Sequence, residues 1–333
     1  MKKSGTVLFA AQAAVGVLAY LLLPRPLGRD KVVLITGGSR GLGLALARQF
    51  GKAGSKLVLA ARDEDQLEIA RHTLLHEGAV AHEDDILLVA CDVTDQNQAA
   101  GLVDMAIRTF GRLDILINNA GIIEVGPVED QAIETYRKTM ETNFFAALYT
   151  SQAALPHMLG RRSGNIVNIA SLGGKIAVPH MLPYSAAKFA LVGYSEGLHA
   201  ELRGKGVRVT TVCPGLMRTG GEVHAKFSGQ KDKEERWFQL AATTPLLSAS
   251  ADYAAKKILN AVAEGRAEIT ITPQAWLAAR FAGIAPETTQ IVNSLVNDYL
   301  LPAPLRSYPP TPASLGSAMQ GSGDIEFADP SPS

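Results

Sequence analysis

From Lys31 to about Pro273 the chain alternates short, almost purely apolar runs with longer amphipathic stretches. The runs are KVVLIT (31–36), KLVLA (56–60), ILLVACD (86–92), LDILIN (113–118), GNIVNIA (164–170), VRVTTVC (207–213) and AEITIT (267–272). A strand with one wet face alternates polar and apolar residues; continuous apolar runs are buried on both faces, as in parallel sheets. Parallel neighbours need a crossover, and the intervening segments, notably 130–159 and 182–204, have helical spacing. The pattern predicts an α/β fold: a doubly wound seven-stranded parallel sheet with right-handed crossovers. No repeat or linker divides this stretch, so a single domain is expected over 31–300.

The two ends read differently. After Lys2-Lys3, TVLFAAQAAVGVLAYLLL (6–23) carries no charge and just reaches the roughly 17–25 residues of a bilayer-spanning helix. PRPLGRD then ends it, because proline cannot continue a helix. Residues 1–25 are expected to be a membrane anchor. A cleaved signal peptide is the main alternative, although no small-x-small site follows the run; a soluble or interfacial segment is the third. Lys2 and Lys3 nearly balance Arg25, Arg29 and Lys31, so flanking charge leaves the orientation open. Residues 301–333, rich in Pro, Ser, Gly and Ala, are expected to be a disordered tail.

Lys+Arg and Asp+Glu each total 32, for a formal net charge of zero. Nothing in that balance suggests a nucleic-acid partner. The two cysteines, Cys91 and Cys213, each close an apolar run and read as buried thiols suited to a reducing compartment. No Cys/His spacing suggests zinc, and His72 and His76 lack a third ligand, so no metal is expected.

The first strand runs into TGGSRGLG, Thr36 to Gly43, with glycines at 37, 41 and 43. A glycine turn between strand and helix lets backbone approach a pyrophosphate, whose charge the helix N-terminus stabilises. Further motifs follow in order: NNAG (118–121), Asn143 within ETNFFA, Ser171 within NIASLGG, Tyr184 and Lys188 within YSAAK, and PGLMRT (214–219). Ser171 precedes Tyr184 by thirteen residues. In sequence and spacing this set resembles the short-chain dehydrogenase/reductase family, in its simple, non-extended subtype, over about residues 31–272.

The resemblance implies a Rossmann fold and a nicotinamide cofactor. The cofactor would lie along Thr36, Gly37, Ser39, Arg40, Gly41, Leu42, Gly43, Arg62, Asp92, Val93, Asn119, Ala120, Gly121, Tyr184, Lys188, Pro214, Gly215 and Thr219. It also implies a catalytic set of Asn143, Ser171, Tyr184 and Lys188. Tyr184 would exchange a proton with the substrate oxygen and Ser171 would hydrogen-bond that oxygen. Lys188 would grip the nicotinamide ribose, and Asn143 would keep a relay water near Lys188. On a helix, Tyr184 and Lys188 share a face one turn apart. A free phenol titrates near 10, and a neighbouring ammonium favours phenolate.

An enzyme preferring NAD would carry an acidic residue at the end of the second strand. Family spacing puts Ala61 there, followed by Arg62, with Arg40 in the glycine turn. Two guanidiniums can clamp a 2′-phosphate, so NADP(H) is expected over NAD(H). The other reading of Arg62 is a solvent-facing residue beside a capping Asp63.

The expected function is NADPH-dependent hydride transfer to the carbonyl of an apolar ketone or aldehyde, or the reverse alcohol oxidation. A non-catalytic NADP-binding scaffold or redox sensor is the alternative. Lys231 to Arg236, followed by Trp237, Phe238 and Leu240, reads either as a lid over a bulky apolar substrate or as a solvated surface helix. Trp276, Leu277, Phe281 and Ile284 read either as core packing or as a second membrane contact beside the pocket mouth. By resemblance, 130–159 and 182–204 pack against a partner in a homodimer or homotetramer. NADPH supply favours a cytoplasmic catalytic domain.

Overall fold

The computed structural model describes residues 27–220, 224–244 and 248–305. The expected anchor at 6–23 and the tail from 306 onward lie outside the described residues. Seven strands form one parallel sheet: β1 (Val32–Thr36), β2 (Lys56–Ala61), β3 (Ile86–Ala90), β4 (Ile115–Asn118), β5 (Gly164–Ile169), β6 (Val207–Pro214) and β7 (Glu268–Ile271). Their order across the sheet is β7-β6-β5-β4-β1-β2-β3, with every pair parallel. The chain starts in the middle, winds out to β3 and returns to β4. That reversal beside β1 opens a crevice at the carboxyl ends of the strands, where ligands of such sheets bind.

The helices are α1 (Gly41–Lys52), α2 (Glu64–His76), α3 (Gln96–Phe110), α4 (Ile133–Met140), α5 (Ala146–Gly160), α6 (Leu182–Leu202), α7 (Lys231–Thr243), α8 (Ala251–Glu264), α9 (Pro273–Ile284) and α10 (Pro286–Leu300). They cover both faces of the sheet. In β1, Val33 and Ile35 pack with Leu46 and Phe50 of α1, Leu67 of α2 and Ile258 of α8. Val32 and Leu34 face the other way, onto Leu102 of α3, Met158 of α5 and Leu202 of α6. Successive strand residues point to opposite faces, so β1 must be apolar throughout. Asp63 caps α2 by accepting from Gln66 N at 3.0 Å, as the sequence suggests.

Three sequence expectations change in detail. The long helix expected over 130–159 runs continuously as α4 and α5 through a wider, i→i+5-bonded segment at Glu141–Phe145, with helical backbone at both junctions. In α9, Trp276 is 51% and Ile284 84% exposed, and Ala275 alone is buried, so the core-packing reading fails. Residues 301–305 are tied down: Gln230 Nε2 donates to Ala303 O at 2.7 Å and Leu305 N to Asp130 Oδ2 at 2.8 Å. Among the described residues no helix is long and apolar enough to cross a membrane.

The sheet also contains a buried polar chain. Asn118 Nδ2, at the end of β4, donates to Asn168 Oδ1 in β5 at 2.9 Å and to Ser151 Oγ in α5 at 3.0 Å. Thr150 Oγ1 donates to Asn118 Oδ1 at 2.6 Å. Asn168 Nδ2 and Thr211 Oγ1 of β6 both donate to Ser195 Oγ in α6, at 3.0 and 2.7 Å. All these side chains are buried, so each missing partner leaves a desolvated group unpaired. Asn168→Ala is expected to lower stability by about 2–4 kcal/mol, read as a lower urea midpoint with an unchanged slope.

Candidate active site

The glycine turn is shaped by close backbone approach. A Cβ on Gly43 would lie 2.0 Å from Gly37 O, which no side chain can occupy. Gly37 and Gly41 have φ of 64° and 56°, in the region that favours glycine. Thr36 Oγ1 accepts from Asn119 N and Ala120 N, both at 3.0 Å, and Asn119 Nδ2 donates to Thr36 O at 2.9 Å. The turn after β1 is thereby bolted to the loop after β4. Across the crevice, Gly41 faces Thr219: a Cβ there would lie 3.2 Å from Thr219 O. No side chain caps α1 at Arg40, so the first N–H groups of α1 face a glycine-lined space suited to a pyrophosphate.

The outer end of this groove lies where β2 ends. Gly38 N donates to Ala60 O at 3.1 Å, which draws the turn against that strand. Arg40 and Arg62 are exposed, and neither is in an ion pair among the described residues; Arg40 Nη1 reaches Gln66 Oε1 only at 3.5 Å. Beyond β3, Asp92 Oδ1 accepts from Thr94 N and Oγ1 at 3.0 and 2.8 Å, and Val93 is buried beside it. Ser39 and Leu42 belong to the turn and to the first residues of α1. Pro214 ends β6 beside Ile271, and Gly215 N donates to Ile271 O at 3.3 Å.

The catalytic candidates converge beyond β4, β5 and β6. Ser171 follows β5 and accepts from Gly173 N at 3.0 Å. Tyr184 and Lys188 lie on the first turns of α6, facing inward. A Cβ on Gly173 would lie 3.2 Å from Tyr184 Cε1 and 3.5 Å from Ser171 Oγ, so a larger residue there would crowd the tyrosine ring beside the serine. Asn143 sits in the wide turn between α4 and α5, 1% exposed. Its Oδ1 accepts from Ile122 N at 2.7 Å and its Nδ2 donates to Ile122 O at 2.9 Å. The extra residue in that turn rotates the asparagine inward, a use found at functional sites. A Cβ on Gly121 would fall 3.0 Å from Asn143 Oδ1 and 3.6 Å from Lys188 Nζ, so glycine keeps open the space joining them.

Electrostatics here depart from the simple sequence argument. Lys188 is 4% exposed and donates to Ile169 O at 2.8 Å. Burial, with no carboxylate to offset it, brings Lys188 down to about 8. Tyr184 is held above its ordinary value because burial outweighs its hydrogen bond with Ser171. The Lys188 ammonium, 5.7 Å from the ring centroid, does not reverse this in the protein alone. Cys213, under the same loops, is pushed up to about 12 by burial, and half-buried Cys91 to about 11. Neither thiol is nucleophilic near pH 7. A cleft of about 920 Å3 lies at the amino ends of the strands along Lys31, Asp114 and Arg208, away from this chemistry.

Sequence reasoning missed the Ile122 clamp on Asn143, the Ile169 carbonyl under Lys188 and the buried role of Asn118. NNAG contained that last signal, because its first asparagine closes an otherwise apolar strand.

A glycine-cradled groove running into a half-buried serine and tyrosine beside a buried lysine fits a dinucleotide-dependent oxidoreductase of the α/β class. The chain belongs to the short-chain dehydrogenase/reductase family. The family model described as short chain dehydrogenase matches residues 31–227. A dehydrogenase/reductase SDR family protein 7-like of Anopheles gambiae is 37% identical over 254 residues, 75% of this chain and 77% of that one. A dehydrogenase/reductase SDR family member 7B of Danio rerio is 33% identical, with 86% and 89% covered. Among solved structures, a short chain dehydrogenase/reductase of Burkholderia phymatum in complex with NAD is 28% identical, with 84% and 99% covered and a TM-score of 0.71.

The buried lysine makes a test of the site. Near pH 7 Lys188 is charged in both folded and unfolded chains, and only the folded chain bears the burial penalty. The penalty fades as pH rises from about 8, where the folded lysine loses its proton, to about 10.4, where the unfolded one does too. Lys188→Met is therefore expected to stabilise the cofactor-free protein by about 1–3 kcal/mol near pH 7. That gain should shrink across the same window in melts followed by circular dichroism.

Proposed function

We propose that this protein transfers hydride from NADPH to the carbonyl of an apolar ketone or aldehyde, or runs the reverse alcohol oxidation. The observation that carries the reading is the adjacency of Ser171 and Tyr184 beside a buried Lys188 that has no counter-ion. Bound cofactor would supply the hydride. Ser171 Oγ and the Tyr184 hydroxyl would hold the substrate oxygen from one side, and Tyr184 would give its proton to that oxygen as charge develops. Lys188 Nζ would hold the cofactor's ribose hydroxyls in place of bulk water. Asn143, clamped to Ile122, keeps the wide turn beside Lys188 in shape.

Arg40 and Arg62, unpaired by any acid and flanking the end of β2, support NADP(H) over NAD(H). The apolar cluster around Tyr184, with Val125, Met181, Phe227 and Phe238, supports an apolar substrate. We further assign residues 1–25 as a membrane anchor and α9 with α10 as a second lipid contact. The exposed apolar residues of both helices support this reading, as does the hydrogen bond from Asn293 Nδ2 of α10 to Ala177 O, 2.8 Å, in the loop that precedes α6. A homodimer or homotetramer and a cytoplasmic catalytic domain complete the reading.

Tyr184→Phe is expected to lower NADPH-dependent turnover of long-chain ketones by about 10²–10⁴-fold while NADPH binding, followed by fluorescence, stays unchanged. Unchanged turnover would refute the mechanism, whereas NADPH binding with no turnover by either form would favour the non-catalytic scaffold. Arg40→Ala with Arg62→Asp is expected to weaken NADPH about 10–100-fold while leaving NADH within about twofold; equal losses for both would refute the phosphate clamp.

A further inference from the structure

Among the described residues one carboxylate, that of Glu234, has no exposure at all. Of the charged run that opens α7, Lys231 to Arg236, five side chains are exposed and Glu234 is 0% exposed. His180 Nδ1 lies 2.9 Å from Glu234 Oε1 and 3.0 Å from Oε2, and Trp237 Nε1 donates to Oε2 at 2.6 Å. A carboxylate only accepts, so Nδ1 carries the proton. His180 is 5% exposed and adopts φ 61°, which a non-glycine residue holds only when its surroundings impose it.

The two ends of this contact matter for the site. His180 stands four residues before Tyr184, in the loop that feeds α6. Its carbonyl accepts from Gly126 N at 2.7 Å, beside a short ladder between Glu124–Val125 and Lys226–Phe227. Glu234 is on the first turn of α7, whose Phe238 packs with Val125 and Met181 in the cluster that includes Tyr184. An apolar side chain at 234 could pack in several registers. A buried carboxylate is satisfied only where both donors meet it.

We propose that His180, Glu234 and Trp237 form a latch that positions α7 over Tyr184 and makes the site selective for bulky apolar carbonyl substrates. None of the three touches the reacting atoms; they act by fixing the aromatic wall formed by Trp237 and Phe238. Both lid and surface-helix readings of this segment are then partly right, since one face is solvated and the other closes the site. The proposal rests on the hydride-transfer reading only for its substrate readout.

The test uses the full chain. It has two tryptophans, Trp237 and Trp276, so Trp276→Phe leaves Trp237 as the sole indole reporter. In that background His180→Ala removes the donor. His180→Asn keeps an N–H at the Nδ1 position and suits the positive φ. Acrylamide quenching of Trp237 is expected to rise in the alanine variant and to remain near the parental value in the asparagine variant. KM for a long-chain ketone is expected to rise about tenfold in the alanine variant, the scale of one lost hydrogen bond to a charged group. A small ketone and NADPH affinity should change by less than about twofold. If His180→Ala fails to fold, Glu234→Gln, which keeps the shape and faces one donor with an amide, carries the same readouts. Unchanged quenching in the disrupted variant overturns the latch even if no substrate is turned over. Parallel losses in NADPH affinity and both ketones also overturn it, because they mark a general structural role.

Discussion

The placement of Tyr184 and Lys188 against Ser171 depends on the hydrogen bonds that converge on Ser195. Its Oγ accepts from Asn168 of β5 and Thr211 of β6. Ser195 lies eleven residues after Tyr184 on α6, about 16 Å along a helix rising 1.5 Å per residue. An apolar contact there would leave α6 free to slide against the sheet at little cost. A doubly bonded, fully desolvated hydroxyl does not. Because Asn168 is also joined to Asn118, the same chain sets β4 against β5, and hence the NNAG loop against the loop carrying Ser171. The axial position of Tyr184 is thus fixed from deep within the sheet.

What the sequence made legible follows from that division between sheet and edge. The strands were readable because burial on both faces demands unbroken apolar runs, and all seven fall where the runs lie. Gly37, Gly41 and Gly43 were readable because a 2.0 Å approach to Gly37 O excludes every other residue at 43. Groups defined by distant partners were not readable. Glu234 sits in a run of charges that looks solvated, and only the fold brings His180, 54 residues earlier, to its carboxylate. The wide turn holding Asn143 was hidden for a related reason: one extra residue in a helical turn leaves the apolar spacing of α4 and α5 nearly unchanged.

The sequence argument for Tyr184 was right about neighbours and incomplete about solvent. Lysine one turn away does favour phenolate, but burial disfavours every charge in the cluster, the lysine included. Desolvation therefore holds the phenol up and the ammonium down together. A site left in that balance is a weak acid–base catalyst. The remaining contribution must come from charge and hydrogen bonds that arrive with ligands: hydroxyls near Lys188 Nζ would stabilise its charged form, and a positive ring near Tyr184 would favour phenolate.

It follows that burial of these groups costs the fold stability at this point. A buried cation paired only with the Ile169 carbonyl weakens the empty fold, and so does His180 held at positive φ. Both strains lie four residues from Tyr184: His180 on the strand-to-helix connection that also carries Ser171, and Lys188 on the first turns of α6. The sheet beneath is over-determined by the Asn118–Asn168–Ser195 chain, which lets these local costs persist without loosening α6. The rigid polar core and the strained loop are therefore one arrangement, in which the first makes the second tolerable.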